Sequence, residues 1–475
     1  DPDCIPYQVF TYGGVTEEAA RNLPGTGIIT GKTETDIFQA YVTGNTNWGL
    51  PAGGIMAVAG YEHRKLEYGR ISDTVFGTGD LLGWWVALED ISGTYSVDEI
   101  FAEANVPLLA DRTFAQNLTL DLAYRWSDYS TSGSNSTYRV GLDWQALDWL
   151  RIRTGFNRAV RAPNVGELFV QQQVWEVWGV EDPCSGSKPL YSPEQCARSG
   201  VTAEQYGNIA PVPIDDGYIN VLGGGNPDLD PEEADTVTVG LVFDAGDSMR
   251  LSLDYWDIQI DGVIDQIYPE VPLEQCHLDN QMCDLIQRGP GGSLWRTKDS
   301  YVIFTEQNLG GWHWRGVDAA WDWVSGTNWH LSLIGTWYLK KETTFLAHDP
   351  DSSKECVGKI NDVCSGQPKW RHTASATYDS GSFWAVTGRW RYYHSISYEG
   401  EAEPLLGDKL DAENYFDLNA LFRFMGTHDL SLGVNNILDK EPPLVTNALS
   451  TNGNSIAGYY DTLGRYLYAR VTMRW

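Results

Sequence analysis

Basic residues are scarce in this sequence. Of its 475 residues, 33 are Lys or Arg and 64 are Asp or Glu, which gives a formal net charge of −31. A protein that binds nucleic acid needs a basic surface to meet the phosphates. The charge balance therefore argues against nucleic acid as a partner.

Long apolar runs are also missing. A membrane-spanning helix needs about 20 consecutive, mostly apolar residues, and the sequence contains no such run. Helical membrane proteins are therefore excluded. A membrane-spanning β-barrel is not excluded, because its short alternating segments disappear in a hydropathy average. Disorder is excluded as the main description, because 12% of the residues are aromatic and disordered acidic chains have few aromatics.

Cysteines in metal-binding spacing are the third absence. No CxxC pair occurs, and the eight His do not cluster with the Cys, which disfavours a metal site. Six of the seven cysteines form three close pairs in turn-rich sequence. These pairs are Cys184 with Cys196, Cys276 with Cys283, and Cys356 with Cys364. We predict three disulfides in an oxidising compartment, with free thiols as the alternative.

The seventh cysteine, Cys4, has no neighbour of this kind. A single unpaired cysteine in an exported protein indicates a partner elsewhere. The sequence also begins without Met and without a signal peptide. We therefore expect a mature or cleaved product whose N-terminal part is missing.

Period-two alternation is what the sequence has in abundance. The segment 235–243 places Val237, Val239, Leu241 and Phe243 on one face, and comparable segments cover 116–126, 249–257, 415–424 and 466–475. Such alternation predicts strands with one apolar and one polar face. Alternating segments of about ten residues are typical of transmembrane barrels. A soluble sandwich is the alternative, and a propeller is disfavoured because no blade repeat is visible.

Short and long connections alternate between these segments. The long ones lie near 69–97, 161–232, 263–300, 343–368 and 437–464, and each cysteine pair falls in one of them. This asymmetry is typical of outer-membrane barrels, which have short periplasmic turns and long extracellular loops. We assign 1–35 to the end of an extracellular loop and 36–475 to a transmembrane antiparallel β-barrel of about 15 strands.

Four stretches resemble the C-terminal portion of the TonB-dependent outer-membrane receptors. They are 155–169 (GFNRAVRAPNVGELF), 226–243 (NPDLDPEEADTVTVGLVF), 434–443 (VNNILDKEPP) and the ending 464–475, whose terminal aromatic is Trp475. The resemblance implies an all-β fold with about 15 of the family's 22 strands. It also implies that the plug and about seven strands are absent from this chain, and that Trp475 is the outer-membrane insertion signal, although family members usually end in Phe. An open barrel would leave strand edges in lipid, so we expect another segment to complete it.

The resemblance also implies location and activity. We expect the outer membrane of a Gram-negative bacterium, and a receptor that binds a scarce solute at its extracellular face and imports it with TonB-supplied energy. The expected partners are the TonB complex, reached through an N-terminal region absent here, the remaining barrel and plug, and outer-membrane lipid with lipopolysaccharide. The motifs around the loop cysteines resemble a carbohydrate-uptake subfamily, which favours an oligosaccharide. The alternatives are a ferric siderophore or other metal-complex receptor, and a structural or adhesive barrel without transport.

Aromatic residues in the long loops are the candidate ligand site. The set comprises Trp84, Trp85, Trp175, Trp178, Trp295, Tyr459 and Tyr460. Their faces can stack on sugar rings or on an aromatic ligand, although aromatics also populate bilayer boundaries. The loops are acidic at 214–216, 228–233 and 399–403. Carboxylates in these loops are candidate ligands for calcium. We expect no other cofactor.

The polar face of the strands is expected to carry charges of both signs. Its arginines and aspartates are Arg125, Arg250, Arg423, Arg470, Arg474, Asp121, Asp254 and Asp417. They predict either ion pairs that hold a plug or a ligand path. No enzyme is indicated: no GxSxG segment occurs, and the glycine-rich stretch 222–227 lacks the Lys-Ser/Thr of a phosphate loop.

Overall fold

The structure is a computed structural model. It describes residues 5, 8, 10–22, 25–79, 81, 87–212, 217–326, 328–346, 352–361, 363–399, 409–424, 426–445, 454–456 and 458–474. In these residues one large antiparallel sheet, called the main sheet, contains fifteen successive strands. The strands are Ile29–Leu50, Gly53–Ser72, Ile91–Arg112, Ala115–Tyr129, Gly133–Leu147, Leu150–Arg161, Glu232–Asp244, Met249–Asp261, Gly311–Ser325, Trp329–Thr344, Trp370–Asp379, Trp384–Tyr393, Glu413–Phe424, His428–Asn435 and Tyr466–Thr472.

The main sheet confirms the predicted fold class and strand count. Each strand pairs with the next one along the chain, and a short strand, Ser353–Glu355, adds to the edge of Trp329–Thr344. Within the described residues, the first strand and the last strand each pair with one neighbour.

One face of the main sheet exposes large apolar side chains, which we call the apolar face. Val237, Val239, Leu241 and Phe243 are between 37% and 45% exposed, and Leu418, Leu467 and Val471 show the same outward pattern. Side chains alternate between the two faces of a strand, so their neighbours lie on the opposite, polar face. An exposed apolar face of this extent is favourable in contact with lipid. In the described residues no helix is long and apolar enough to cross a membrane.

Long and short connections alternate along the main sheet, but several bounds differ from the sequence prediction. The connection predicted at 69–97 is shorter, because the third strand begins at Ile91. The first strand begins at Ile29, before residue 36, because its pairing with the second strand continues to Ser72. The connection predicted at 263–300 extends to residue 310. The reason is that Tyr301–Asn308 pairs with strands of the loops, so the next main-sheet strand begins only at Gly311.

Two long connections, 162–231 and 262–310, fold together into a compact unit that we call the loop domain. Its sheet contains Gln173–Trp178, Tyr218–Gly224, Ile264–Gln266, Ile286–Gln287 and Tyr301–Asn308. A parallel pairing between Tyr218–Gly224 and Tyr301–Asn308 joins the two connections. A buried cluster that includes Ile219, Val221, Leu294 and Val302 forms its core.

Helices are short. Two lie in the first 90 residues, Glu17–Asn22 and Thr74–Gly77, and three lie in the loop domain, Val165–Phe169, Pro193–Arg198 and Glu270–Asp279. Two single 3₁₀ turns occur at Gly246–Ser248 and Cys283–Leu285. A three-stranded sheet of Lys359–Ile360, Ile396–Tyr398 and Lys409–Leu410 orders the loops over the last strands.

Candidate functional site

Three disulfides staple the long loops, as the spacing predicts. The Sγ atoms of Cys184 and Cys196 are 1.99 Å apart, those of Cys276 and Cys283 2.13 Å, and those of Cys356 and Cys364 1.98 Å. The first two lie in the loop domain. Each closes a short loop, and such a crosslink limits the freedom of the unfolded chain.

A buried ion pair joins the two halves of the loop domain. Arg288 donates from Nη1 to Asp182 Oδ2 at 2.6 Å and from Nη2 to Oδ1 at 2.9 Å. Both side chains are 3% exposed. Arg288 also donates to Ser199 Oγ at 3.0 Å and to the Gly292 carbonyl at 2.8 Å. Because every charge-bearing end has partners, the pair fixes the geometry of both loops.

Beside this pair lies a buried histidine. His277 has its Nε2 2.8 Å from Ser199 Oγ and 3.3 Å from Cys184 Sγ. Burial lowers the pKa of His277 below its usual value of 6.5. In the described residues, His277, Cys184 and Cys196 form the cluster with metal-ligand spacing, but the two cysteines bond to each other. Their sulfurs are therefore not thiolate ligands.

The predicted loop tryptophans divide into two environments. Trp175 is partly buried and packs on the loop-domain core, 6.4 Å from the Phe304 ring centroid. Trp178 is 60% exposed. Its ring centroid lies 5.5 Å from that of Tyr218, which lies 5.8 Å from Trp295. The structure therefore brings Trp178 and Trp295 together through Tyr218, which the sequence reasoning missed, and separates Trp175 from them.

We call Trp178, Tyr218 and Trp295 the aromatic row. Trp295 is oriented by donation from Nε1 to the Ala210 carbonyl at 3.2 Å. The guanidinium of Arg296 lies 5.3 Å from the Trp295 ring, within cation–π distance. Rings held in this way offer apolar faces next to polar groups, which suits a ligand with flat apolar patches and hydroxyls.

The two predicted tyrosines, Tyr459 and Tyr460, lie where the last long loop meets the main sheet. Tyr459 donates to Gln367 Oε1 at 2.8 Å. Tyr460 is 3% exposed, and its burial raises the pKa of the phenol above the usual 10.0. Both rings lie 6.0 Å from that of Tyr393.

A cavity of about 540 Å³ lies beside Tyr460 and is also lined by Arg389, Arg391 and Asp461. Arg391 donates to Asp461 Oδ2 at 2.6 Å and to Asp417 Oδ1 at 3.0 Å. The arginine therefore ties the last loop to the strand Glu413–Phe424.

Ion pairs cover much of the polar face, as the charge pattern predicts. Arg153 pairs with Asp254 at 2.7 Å, Arg423 with Asp379 at 2.6 Å, and Arg125 with Glu99 at 2.8 Å. Arg250 pairs with Asp244 at 2.8 Å and Arg474 with Asp429 at 3.3 Å. Asp121 accepts from Asn105 Nδ2 at 2.6 Å.

Sequence reasoning missed a group of aromatics on the polar face near the long connections. Trp312 and Trp314 stack with ring centroids 5.5 Å apart. Lys341 Nζ lies 5.2 Å from the Trp314 ring, and the Arg371 guanidinium lies 6.0 Å from the Tyr459 ring. The sequence did contain a signal for this group: Trp312 and Trp314 are two residues apart, so they share a face of the strand, and this face is the polar one.

Several predicted residues fall outside the described part of the chain. Trp84, Trp85, Trp475 and Cys4 are among them, together with the acidic residues 214–216 and most of 399–403. Calcium binding by the acidic loops stays a prediction. In the stretch 228–233, Glu232 pairs with Arg161 at 2.7 Å and Glu233 with Arg158 at 3.5 Å.

Solved structures share this fold. The ferric enterobactin receptor PfeA of Pseudomonas aeruginosa (a G324V mutant) aligns with a TM-score of 0.62 at 15% identity, over 93% of this chain and 54% of that one. The siderophore receptor PirA of Acinetobacter baumannii aligns at 0.59 and 16% identity, over 93% and 55%. The ferripyoverdine receptor of the Pseudomonas aeruginosa outer membrane aligns at 0.53 and 13% identity, over 94% and 49%. This chain thus spans about half the length of these proteins.

No curated protein sequence matches the chain. The family model described as "TonB dependent receptor-like, beta-barrel" matches residues 7–437, which is most of the sequence and nearly the whole main sheet. The chain therefore belongs to the TonB-dependent receptor-like β-barrel family.

Proposed function

We propose that this protein is an outer-membrane receptor of a Gram-negative bacterium that binds a scarce solute at its extracellular face and imports it with TonB-supplied energy. The family match over residues 7–437 carries the proposal, since the resemblance to TonB-dependent receptors implies an outer-membrane transporter rather than an enzyme. The proposed partners are the TonB complex, reached through an N-terminal region outside this sequence, the rest of the barrel with its plug, and lipopolysaccharide. Pairing with the remaining barrel would satisfy the open edges of the first and last strands.

The aromatic row supports an oligosaccharide as the solute. Trp178 exposes most of its ring, and Tyr218 and Trp295 extend the apolar surface next to it. Successive sugar rings present apolar faces at intervals that such a row can cover, while hydroxyls keep their contact with water. The disulfides and the Asp182–Arg288 pair hold the row in place before a ligand arrives, which reduces the ordering cost of binding.

Calorimetry with maltodextrin-like sugars on the receptor purified from outer membranes tests this assignment. The Trp178→Ala, Trp295→Ala double variant should bind at least tenfold more weakly, because stacking on one aromatic ring is worth roughly 1 kcal/mol or more. Tyr268→Ala is the matched control: this loop-domain ring is 67% exposed and lies outside the aromatic row. Equal affinity of the double variant and the control would remove the row from the ligand site.

A ferric siderophore or another metal complex is the second candidate. Two observations favour it. Lys341 and Arg371 lie on the polar face among aromatic rings, and the similar solved structures are named as receptors for ferric enterobactin, a siderophore and ferripyoverdine. Cations placed behind acidic loops can receive an anionic chelate.

Uptake of labelled maltodextrins and of a labelled ferric chelate, with and without the gene, separates the candidates. Loss of sugar uptake alone supports the first candidate, and loss of chelate uptake alone supports the second. If deletion changes neither uptake, both substrate assignments are wrong, and a structural or adhesive barrel is favoured.

A further inference from the structure

We infer that the polar face of the main sheet holds a subsite for a negatively charged group, formed by Trp314, Lys341, Gln367, Arg371 and Tyr459. We call these residues the cationic patch. The inference rests on the proposed function, because it assumes that the solute travels along this face, and it adds that the solute is an anion.

Lys341 is the first part of the patch. Its Nζ donates to Ser365 Oγ at 3.2 Å and lies 5.2 Å from the Trp314 ring, which stacks on Trp312. Within the described residues, no carboxylate lies within ion-pair distance of this ammonium. Glu355 Oε1 is close by, but it accepts the backbone N–H groups of Lys341 and Val357, at 3.0 and 2.9 Å.

Arg371 and Gln367 form the second part. The Arg371 guanidinium lies 6.0 Å from the Tyr459 ring and has no carboxylate partner in the described part of the chain. Tyr459 donates to Gln367 Oε1 at 2.8 Å. Gln367 is 7% exposed, and its Nε2 is a buried donor without an acceptor among the described residues. Buried donors are normally satisfied, so an acceptor at this position would be favourable.

The chain segment 365–367 links the two parts. Lys341 donates to Ser365, which lies two residues before Gln367 in the sequence. Gln367 accepts a hydrogen bond from the Tyr459 hydroxyl, and the Tyr459 ring lies 6.0 Å from the Arg371 guanidinium. The patch therefore combines two cations, one amide donor and two aromatic faces on one surface.

Among the described residues, the patch places two basic side chains without carboxylate partners in a strongly acidic chain. The chain has 64 acidic and 33 basic side chains, and several arginines of the polar face carry carboxylate partners, as Arg153, Arg391 and Arg423 do. Uncompensated cations near aromatic rings attract an anion more strongly than exposed ones, because the surrounding protein excludes part of the solvent. A neutral sugar gains little from such cations.

The ligand chemistry that fits is an anionic oxygen group attached to a flat or cyclic body. Both an acidic oligosaccharide made of uronic acids and an anionic ferric catecholate complex have this chemistry. The charged oxygens would meet Lys341 and Arg371, and the cyclic body would lie on Trp314 or Tyr459.

Binding to the receptor purified from outer membranes tests the inference with three probes: trigalacturonate, maltotriose as its neutral counterpart, and an iron tris-catecholate complex. At least one anionic probe should bind more tightly than maltotriose. Lys341→Met and Arg371→Met should each weaken that probe roughly tenfold or more, because a charge-assisted hydrogen bond is lost. Lys341→Arg, which keeps the charge, should retain most of the affinity.

Arg112→Met is the matched control. It removes the same charge from an exposed arginine at the opposite end of the sheet, next to a short turn, and should change binding less than about twofold. The probe that responds identifies the source of the anion. Unchanged affinity in both Lys341→Met and Arg371→Met overturns the subsite, as does the failure of both anionic probes to bind. Tight maltotriose binding that depends on Trp178 would then leave the proposed uptake function intact.

Discussion

Replacement of Arg288 by methionine should destabilise the loop domain far more than its position in a surface loop suggests. The substitution leaves Asp182 as a buried carboxylate, since both side chains are 3% exposed. Two charge-assisted hydrogen bonds to Asp182 disappear, together with the bonds to Ser199 and Gly292. Removal of one partner from a buried pair typically costs about 3–5 kcal/mol.

Hydrogen exchange in the loop domain measures this effect. The backbone N–H of Asn220 is a suitable reporter, because it donates to the Leu294 carbonyl at 2.8 Å and so joins the two connections. If exchange proceeds through opening of the loop domain, a loss of 3–5 kcal/mol raises its rate by about 10²- to 10³-fold or more. Amides of the main sheet should keep their rates.

Two further variants separate the ion pair from general damage. Arg250→Met removes an exposed arginine paired with Asp244, with side-chain exposures of 67% and 31%, and should cost less than about 1 kcal/mol. The double variant Asp182→Leu, Arg288→Met leaves no buried charge and should exchange more slowly than Arg288→Met alone. If Arg288→Met and Arg250→Met exchange at equal rates in the loop domain, the reasoning from burial is refuted.

Two other outcomes concern the same domain. Gly223→Ala places a methyl group against the Trp175 indole and should lower the free energy of unfolding, measured by thermal melting, by about 1–3 kcal/mol. Gly291→Ala is the control: it has open space around it and should leave the free energy of unfolding nearly unchanged. Because burial lowers the pKa of His277, its neutral form stabilises the fold above the usual pKa of 6.5, and this contribution is lost as the pH falls through the folded-state pKa. The melting temperature of the loop domain, measured between about pH 7.5 and 5, should fall with this loss. If the melting temperature of His277→Asn depends on pH as strongly as that of the unchanged protein, groups other than His277 cause the dependence.

The strands of the main sheet could be predicted from the sequence because their information is local. Val237, Val239, Leu241 and Phe243 recur at every second position, between Thr236, Thr238 and Gly240. Because the period of a strand is two, these four side chains must share one face. The short turns between strands carry equally local signals. The start of the strand Gly311–Ser325 was predicted too early because Tyr301–Asn308 begins with a strand-forming run of β-branched and aromatic residues. Only its pairing with Tyr218–Gly224 assigns this segment to the loop domain.

The candidate site depended on contacts between residues distant in sequence. Trp178 and Trp295 were both predicted as ligand contacts, but the role of Tyr218 between them follows only from the folding of two loops onto each other. Trp175 has the same sequence setting as Trp178, yet strand alternation turns it toward the core. The cationic patch has no compact motif, since Lys341, Arg371 and Tyr459 come from three segments.

By itself, the sequence determined the fold class, the strand count, the alternating connections, the three disulfides and the family resemblance, because each follows from local period, spacing or motif. The tertiary structure decided which aromatics share a surface, which arginines have carboxylate partners, and that two long connections fold as one domain. These properties depend on pairings between segments about 80 to 100 residues apart, as for Tyr218 with Trp295 and Asp182 with Arg288. Local alternation and spacing carry no information about such pairings.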